Sequence, residues 1–405
     1  MRPSYFQLRN SPSFRRVSPP AGARRSPPWS ASLLAAALFL APPRIARADN
    51  DLTYQYEDYS ESGGRIQIRT QGTFAEQDIG TDLHLQVGGI LDAIAGATPT
   101  GAPAPAGSGQ VPLTRLSDYR KAWNADLSDQ LPRVNLSAGF ARSVEDDYVS
   151  NGWSLNSLTT FNQKNTTLLA GMAGTDDRVA VPFQAAKLAK HGHDGILGVT
   201  QLLDALTSVS LAVTGSRETG FLNDQYKVVQ KTIEPLPGIL VPVTYVENRP
   251  DARNRIDALV SVNRAFPGLA GALEGSYRFY RDSYDIDSST VEAAWFQHVG
   301  KNVILRPDLR FYQQGAASFY HYNLDTTGIF PSRLPTFQAP FYSSDARLAA
   351  FRGFDYGLKV IWNVTGWLQV TAAIGEYTQH GTDGVTPASA FYQARITSVA
   401  AKISW

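Results

Sequence analysis

Apolar and polar residues alternate along most of the chain after residue 50. In the stretch 269–281, Leu273 and Phe279 lie on one side of an extended backbone, and Glu274 and Arg278 lie on the other. A period of two is that of a β-strand with one apolar face. The pattern predicts sixteen strands, near 51–59, 64–75, 80–92, 117–127, 132–143, 151–162, 165–173, 194–203, 207–216, 252–264, 269–281, 289–299, 302–314, 346–364, 367–379 and 391–405.

The connections between these strands alternate in length. Short ones such as SDQLP, FPGL and TG are followed by longer ones at 93–116, 144–150, 174–193, 217–251 and 315–345. Membrane β-barrels have this asymmetry, with short periplasmic turns and long extracellular loops. We therefore predict an all-β fold, an antiparallel transmembrane barrel of about sixteen strands. The competing fold is a soluble secreted sandwich or solenoid, but most predicted strands have the roughly 9–11 residues that a membrane strand needs.

The last strand ends on a tryptophan. Val399, Ala401, Ile403 and Trp405 share its apolar face, and both ends of an even-stranded chain lie on the periplasmic side. Aromatic residues form girdles at both membrane interfaces. We predict that Trp405, and Trp362 on the strand 346–364, anchor the barrel at the lipid interface.

The first 48 residues have the composition of a secretory signal peptide. They contain eight arginines and no acidic residue, an apolar run at 31–41, and a small-x-small site that ends at Ala48. The apolar run is too short to cross a bilayer as a helix. We predict removal of residues 1–48, a single barrel domain at 49–405, and an outer-membrane location.

Removal of residues 1–48 would change the formal net charge from +1 to −7. Nucleic-acid affinity depends on lysine and arginine that neutralise phosphates, so no nucleic-acid partner is expected. The chain has no cysteine, so disulfides contribute nothing to its stability.

Charged residues occupy the polar faces of the predicted strands and would line the lumen. The strongest candidates are Arg255, Asp257, Glu274, Arg278, Arg306, Asp308, Arg310 and Lys359. Further members of this set are Arg65, Arg69, His84, Arg120, Asp126, Glu292 and His298. These charges could line a permeation path and set its selectivity, or they could pair with one another and brace the wall. We expect bracing for most of them.

No constellation in the sequence points to catalysis. A nucleophile elbow, a Walker A loop and a dinucleotide fingerprint are all missing from the sequence. His191 and His193 lie close together in a glycine-rich stretch without the ligand spacing of a metal site. We therefore predict no enzyme activity, no cofactor and no metal, and an outer-membrane enzyme is kept only as the third alternative.

Several phrases resemble one known family. They are YQYEDYSESGGRIQI (54–68), DAIAGATPTGA (92–102), NQKNTTL (162–168), GVTQLLDALT (198–207) and GFLNDQYKVV (220–229). In this order they resemble the domain-of-unknown-function 3570 family of Gram-negative bacteria. The resemblance implies an outer-membrane protein without an established activity and with no assigned catalytic residues. Gln225 stands where the family phrase usually has proline.

Barrel architecture and charged inner faces predict a porin-like passive channel for small solutes, because sixteen strands enclose more space than wall side chains fill. The alternative is a non-conducting, plugged surface barrel that binds a partner through its outer loops. The expected partners are the lipid bilayer, lipopolysaccharide, and the outer-membrane insertion machinery, which would recognise the C-terminal strand.

Deletion of Trp405 should reduce assembly of the barrel in the outer membrane, because the last strand would lose its interface anchor and part of its recognition signal. Heat-modifiable folded protein in outer-membrane fractions measures this. Assembly at the wild-type level would contradict the role of the terminal aromatic.

Overall fold

The computed structural model describes residues 50–405, so the predicted signal peptide, residues 1–48, lies outside the described residues. The described chain consists almost entirely of β-strands. Sixteen strands form the wall: β1 (Asp51–Glu61), β2 (Gln67–Ile79), β3 (Leu83–Pro99), β4 (Leu113–Gln130), β5 (Val134–Val144), β6 (Tyr148–Phe161), β7 (Thr166–Val181), β8 (Gln184–Asp204), β9 (Thr207–Gly220), β12 (Ala252–Phe266), β13 (Gly271–Asp282), β14 (Asp287–Val299), β15 (Val303–Gln314), β16 (Phe351–Asn363), β17 (Leu368–Gly381) and β18 (Gln393–Ser404). Between β9 and β12 lie β10 (Val228–Leu236) and β11 (Ile239–Val246). Four single-turn 3₁₀ helices occur at Asn162–Lys164, Pro267–Leu269, Ala346–Leu348 and Ala388–Ala390.

The wall is a closed antiparallel barrel. Each wall strand pairs with its neighbours along the chain, β9 pairs with β12, and β18 pairs with β1 from Asp51 opposite Ser404 to Glu61 opposite Ala394. Closure leaves the described wall without an open edge of unpaired N–H and C=O groups, which is the condition for a sheet to lie in lipid. The predicted fold class is confirmed, with sixteen barrel strands.

The two ends of the barrel differ as the sequence predicts. Seven turns of two to four residues join strands at the periplasmic end. The extracellular end carries the long connections, of which 221–251 and 315–350 are the longest. Among the described residues, no helix is long and apolar enough to cross a bilayer.

Three predicted long loops are wrong in extent. The segment 174–193 mostly continues β7 and β8, which meet in a turn at 182–183, and 144–150 shrinks to a turn at 145–147. The segment 217–251 contains the separate hairpin β10–β11, which was not predicted. Its tip is Pro237-Gly238, with Gly238 at φ +79°, where glycine avoids the strain of a side chain.

Side chains alternate across the wall as the period of two requires. On β1, Thr53 and Gln55 are buried on the inner face while Leu52 and Tyr54 are exposed on the outer face. Trp362 and Trp405 are exposed near the periplasmic end, on strand faces that point outward. Their role as lipid anchors stays a prediction.

Leu273 and Glu274 are adjacent on β13 and point to opposite sides of the wall. A charge on the lipid face near the midplane costs about 2–4 kcal/mol, whereas the lumen face tolerates polar residues. Leu273 lies near the periplasmic end of β13, opposite the outward-facing Arg264, where this cost falls to about 0–1 kcal/mol. Tyr277 is exposed on the same face at the middle of β13. Tyr277→Arg should therefore prevent folding, and Glu274→Gln should leave a folded barrel, as measured by heat-modifiable mobility in gels. Equal tolerance of Tyr277→Arg and Glu274→Gln would show that β13 does not border lipid.

Candidate functional site in the capped lumen

All eight strongest lumen candidates from the sequence lie on the inner face of the barrel. The buried members are Arg306, Asp308, Arg310 and Lys359, and the partly buried ones are Arg255, Asp257, Glu274 and Arg278. They occupy β12, β13, β15 and β16, four of five consecutive strands, so they form one charged sector of the wall. A role of this sector in permeation stays a prediction.

Most of these charges are braced by partners on neighbouring strands. Arg255 reaches Glu218 at 2.7 Å, and Arg310 reaches Glu292 at 3.1 Å. Arg306 lies between two carboxylates and stacks its guanidinium over the ring of Phe296. Opposite charges that are removed from water are normally held in such pairs.

Glu274 differs in one respect from the sequence interpretation. The sequence places it on the same strand face as Arg278, but its carboxylate lies 3.7 Å from Arg306 on β15. Within the described part of the chain, Arg278 has no carboxylate oxygen within 4.0 Å. Arg278 is therefore the candidate whose charge is most available to a solute in the lumen.

The prediction that Arg69 faces the lumen is wrong. It lies on the outer face of β2, its side chain is 62% exposed, and it pairs with the outward-facing Asp58. The tyrosine opposite Ile68, Tyr59, is buried with it, so the inner face of β2 carries the even-numbered residues. The other members of the wider set point inward, at Arg65, His84, Arg120, Asp126, Glu292 and His298.

The outer mouth is covered by two loops, 221–251 and 315–350, which we call the cap. Asn248 and Tyr342 join them through reciprocal backbone hydrogen bonds of 2.9 and 2.8 Å. Ser344 adds a bond from its hydroxyl to the carbonyl of Val228 at 2.7 Å. The two loops therefore fold as one unit.

The cap crosses the mouth from one side of the barrel to the other. Its first loop begins between β9 and β12, yet the amine of Lys227 donates to the hydroxyl of Thr98 and the carbonyl of Pro99, six strands away on β3. The second loop begins between β15 and β16, and the hydroxyl of Tyr322 accepts a hydrogen bond from the backbone of Ala104 beyond β3. Contacts at such separations place the cap over the lumen.

A buried network of charges holds the two cap loops together. The guanidinium of Arg249 lies 2.7 Å from carboxylate oxygens of both Glu247 and Asp345. Arg347 binds Asp345 and lies 2.7 Å from Asp224. Glu247 is only 1% exposed and also accepts hydrogen bonds from the backbone of Asp224 and from the hydroxyl of Ser343.

The electrostatics of this network favour the ionised state of Asp345. Burial alone would raise the pKa of its carboxyl, but the positive charges of Arg347 and Arg249, with that of Lys227, outweigh burial and hold this pKa well below its usual value. With Lys227, three cations accompany the three carboxylates of the network. This balance allows charges to lie among groups that exclude water.

Aromatic contacts pack the cap against the rim. Phe221 and Phe337, one from each cap loop, lie with ring centroids 6.3 Å apart. On the other side, Phe319 meets Tyr284 of the β13–β14 connection at 4.8 Å. A cleft remains between the cap and the wall, lined among others by Arg65, Lys227, Asp345, Arg347 and Tyr392.

A carboxylate cluster on the rim, formed by β4 and the β5–β6 turn, binds the first cap loop. Oxygens of Asp118, Glu145 and Asp147 lie within 4.8 Å of one another. Gln225 donates to Asp147 at 3.0 Å, and the hydroxyl of Tyr226 donates to the same residue at 2.5 Å. Gln225, which departs from the family phrase, therefore contributes a side-chain bond that proline could not make.

His191 and His193 do not lie in a loop as the sequence suggested. They lie on β8 and face outward, with a nitrogen of His191 3.9 Å from Asp176. The residues that sequence reasoning missed are those of the cap network. The usable signals were the Pro-Gly turn flanked by alternating apolar residues, which indicates β10–β11, and the charged run that contains Glu247 and Arg249.

The chain was compared with protein-family profiles and with curated protein sequences. The sequence profile described as "Protein of unknown function (DUF3570)" matches residues 30–191 and 182–394. No curated protein sequence matches the chain.

Solved structures with a similar fold include outer-membrane barrels. A bacterial polysaccharide outer membrane secretin is 10% identical, with 89% of this chain and 100% of that chain covered and a TM-score of 0.46. The outer membrane protein opdK from Pseudomonas aeruginosa is 7% identical over 89% and 100% of the two chains, with a TM-score of 0.42. A loop-deletion mutant of OmpT from Vibrio cholerae is 11% identical over 89% and 99%, with a TM-score of 0.41.

Arg249→Met should loosen the cap while the wall stays folded. The change leaves Glu247 and Asp345 buried without their shared cation, and removal of one partner of a buried pair costs about 3–5 kcal/mol. Hydrogen exchange should become faster in 221–251 and 315–350 and remain unchanged in the barrel strands. Arg333→Met, in an exposed part of the second loop, is the control, and equal protection in both variants would show that the network does not hold the cap.

Proposed function

We propose that this chain, which belongs to the DUF3570 family of proteins of unknown function, is an outer-membrane channel for small polar solutes whose outer mouth is closed by the cap at rest. The family profile covers most of the chain. The proposal places the protein in the outer membrane after removal of residues 1–48, with insertion guided by the C-terminal strand. It assigns the protein no catalytic activity.

The inner face of the barrel supports transport of polar solutes. Charges of both signs lie on it, from Glu218 and Arg255 near the outer end to Lys359 towards the periplasmic end. Barrels of about sixteen strands leave an aqueous lumen unless loops fill it. Rings of charged side chains set selectivity in such pores.

The observation that carries the proposal is the way the cap is held. Its two loops are joined to each other and across the mouth to the rim by hydrogen bonds, aromatic contacts and the network around Arg249 and Arg347, and by no disulfide, since the chain has no cysteine. Charges buried in this way are stable only while every partner stays in place. The cap can therefore open as a unit when the network is disturbed, which a permanently filled lumen would not allow.

A second function is favoured by the surface of the cap. The tip of β10–β11 exposes Leu236 and Leu240, and Phe330 of the second loop is 87% exposed beside Lys231. Apolar groups of this size on an extracellular surface are typical of protein contacts. The alternative is thus a non-conducting barrel that binds a partner protein through the hairpin tip.

Single-channel recording in planar bilayers distinguishes the two functions. Wild-type protein should show small or rare openings, and Arg249→Met should show larger or more frequent ones, because the loosened cap uncovers the lumen. Arg333→Met should conduct like the wild type. A folded Arg249→Met barrel with a mobile cap and no conductance would favour the partner-binding alternative.

Ion selectivity of the open channel should depend on Arg278. Arg278→Gln should shift the reversal potential in a salt gradient towards cation preference, because it removes a positive charge of the inner wall that no described carboxylate approaches within 4.0 Å. Leu259→Gln, on the same side of the adjacent strand, changes no charge and serves as the control. An unchanged reversal potential for Arg278→Gln would exclude this sector from the permeation path.

Acid should open the channel through Asp345. Its folded-state pKa is depressed, so the stabilisation that the ionised carboxylate gives the closed cap is fully present above the unfolded carboxyl pKa of about 4 and is lost progressively as the pH falls from there through the depressed pKa. Conductance should be constant between about pH 5 and 8 and should rise in more acidic solution. Asp345→Asn should conduct at neutral pH and lose most of this response, and an unchanged acid response in that variant would assign the response to other groups.

A further inference from the structure

Eight arginines form a ring around the outside of the barrel at its extracellular end. Each lies on an outward-facing strand position within three residues of the extracellular end of its strand, and each is exposed. They are Arg69, Arg115, Arg142, Arg178, Arg217, Arg281, Arg352 and Arg395. We call this set the arginine belt. In the order of strands around the wall, no more than two successive strands lack a member.

The two ends of the outer face differ sharply in their number of arginines. Towards the periplasmic end of the described strands, the outward-facing arginine is Arg264, which binds the hydroxyl of Thr207 and stacks over Phe266. A random distribution of surface arginines would not place eight at one end and one at the other. The asymmetry matches a membrane whose two leaflets present different headgroups.

Aromatic residues fix the level of the belt in the membrane. Phe140, Phe279 and Phe354 lie two residues closer to the barrel centre than Arg142, Arg281 and Arg352, on the same outer face, and all three are exposed. Aromatic girdles mark the boundary between acyl chains and headgroups. The belt therefore lies at the level of the headgroups of the outer leaflet.

Half of the belt is not neutralised by the protein. Arg69, Arg178, Arg281 and Arg395 pair with outward-facing carboxylates, of which the closest is Glu376 at 2.6 Å from Arg395. Arg142 donates to the amide oxygen of Asn151.

The remaining three have no such partner. The side chains of Arg115, Arg217 and Arg352 make no hydrogen bond or ion pair with any other described residue. Two of them lie directly opposite a histidine on the neighbouring strand, Arg217 opposite His193 and Arg352 opposite His380. Together these arginines present N–H donors that face outward and are not bonded to the described part of the protein.

We infer that the arginine belt binds the phosphate groups of a phosphorylated glycolipid, the headgroup of lipopolysaccharide, in the outer leaflet around the whole barrel. Guanidinium groups match phosphate oxygens with two parallel hydrogen bonds, which a lysine amine cannot reproduce. Distribution around the full perimeter fits a surrounding lipid leaflet, since a single docked protein would cover only one side. The inference depends on the orientation of the barrel and not on whether it conducts.

Binding of diphosphorylated lipid A to the detergent-purified full barrel tests this inference, with native mass spectrometry as the measurement. The variant Arg115→Gln/Arg217→Gln/Arg352→Gln should bind the lipid at least about tenfold more weakly. Each arginine near an anionic surface contributes up to about a tenfold increase in affinity, and three are removed together. The control Arg133→Gln/Lys164→Gln/Lys301→Gln removes three exposed charges from the periplasmic turns and should bind like the wild type. Loss of binding in both variants, or in neither, would overturn the inference.

Two further experiments test whether the belt recognises the lipid phosphates, the acyl chains, or any free phosphate ion. Dephosphorylated lipid A should bind the wild type as weakly as the phosphorylated lipid binds the belt variant, and equal binding of both lipids would assign the affinity to the acyl chains. Inorganic phosphate in large excess should leave lipid binding unchanged, and full competition would make the belt a general anion site. If the triple variant does not fold, Arg217→Gln and Arg217→Lys are compared, and Arg217→Lys should recover only part of the wild-type affinity.

Discussion

The structure depends on the pairing of β18 with β1. A sheet in lipid has no water to bond its free edges, so every strand must have two neighbours. The eleven paired positions between Asp51–Glu61 and the last strand supply the final seam, and the terminal Trp405 donates its backbone N–H to the carbonyl of Asn50 at its periplasmic end. Once the seam is closed, alternation leaves each side chain only two environments, lipid or lumen.

This constraint explains which features the sequence predicted well. Strand number, orientation and the facing of Glu274 or Lys359 follow from a period of two that each segment shows by itself. Arg69 was misplaced because the outer face of β2 is unusually polar there, with Gln71 and Thr73 following it on the same side. Where neither face is clearly apolar, periodicity does not distinguish inside from outside.

The cap follows no period and could not be predicted in this way. Arg249 and Asp345 are 96 residues apart in the sequence, and their contact exists because two loops that begin on different sides of the barrel meet over its mouth. Local residue types gave only partial signals, such as the Pro-Gly turn of β10–β11. The pairing of Gln225 with Asp147 likewise depends on how the chain crosses the rim and not on its local pattern.

At the extracellular rim, adjacent residues on one strand have different roles, because one points into the lumen and the next points towards lipid. On β13, Asp282 points inward to Arg253 while Arg281 points outward into the belt, and on β18, Ala394 packs inside while Arg395 faces out. Attraction of the belt to anionic headgroups would resist vertical displacement of the barrel. The rim, and the cap built on it, would then stay outside the layer of headgroups. Because alternation sends the two sets of charges to opposite faces, loss of the belt should leave the cap network intact, and opening of the cap should leave the lipid contacts unchanged.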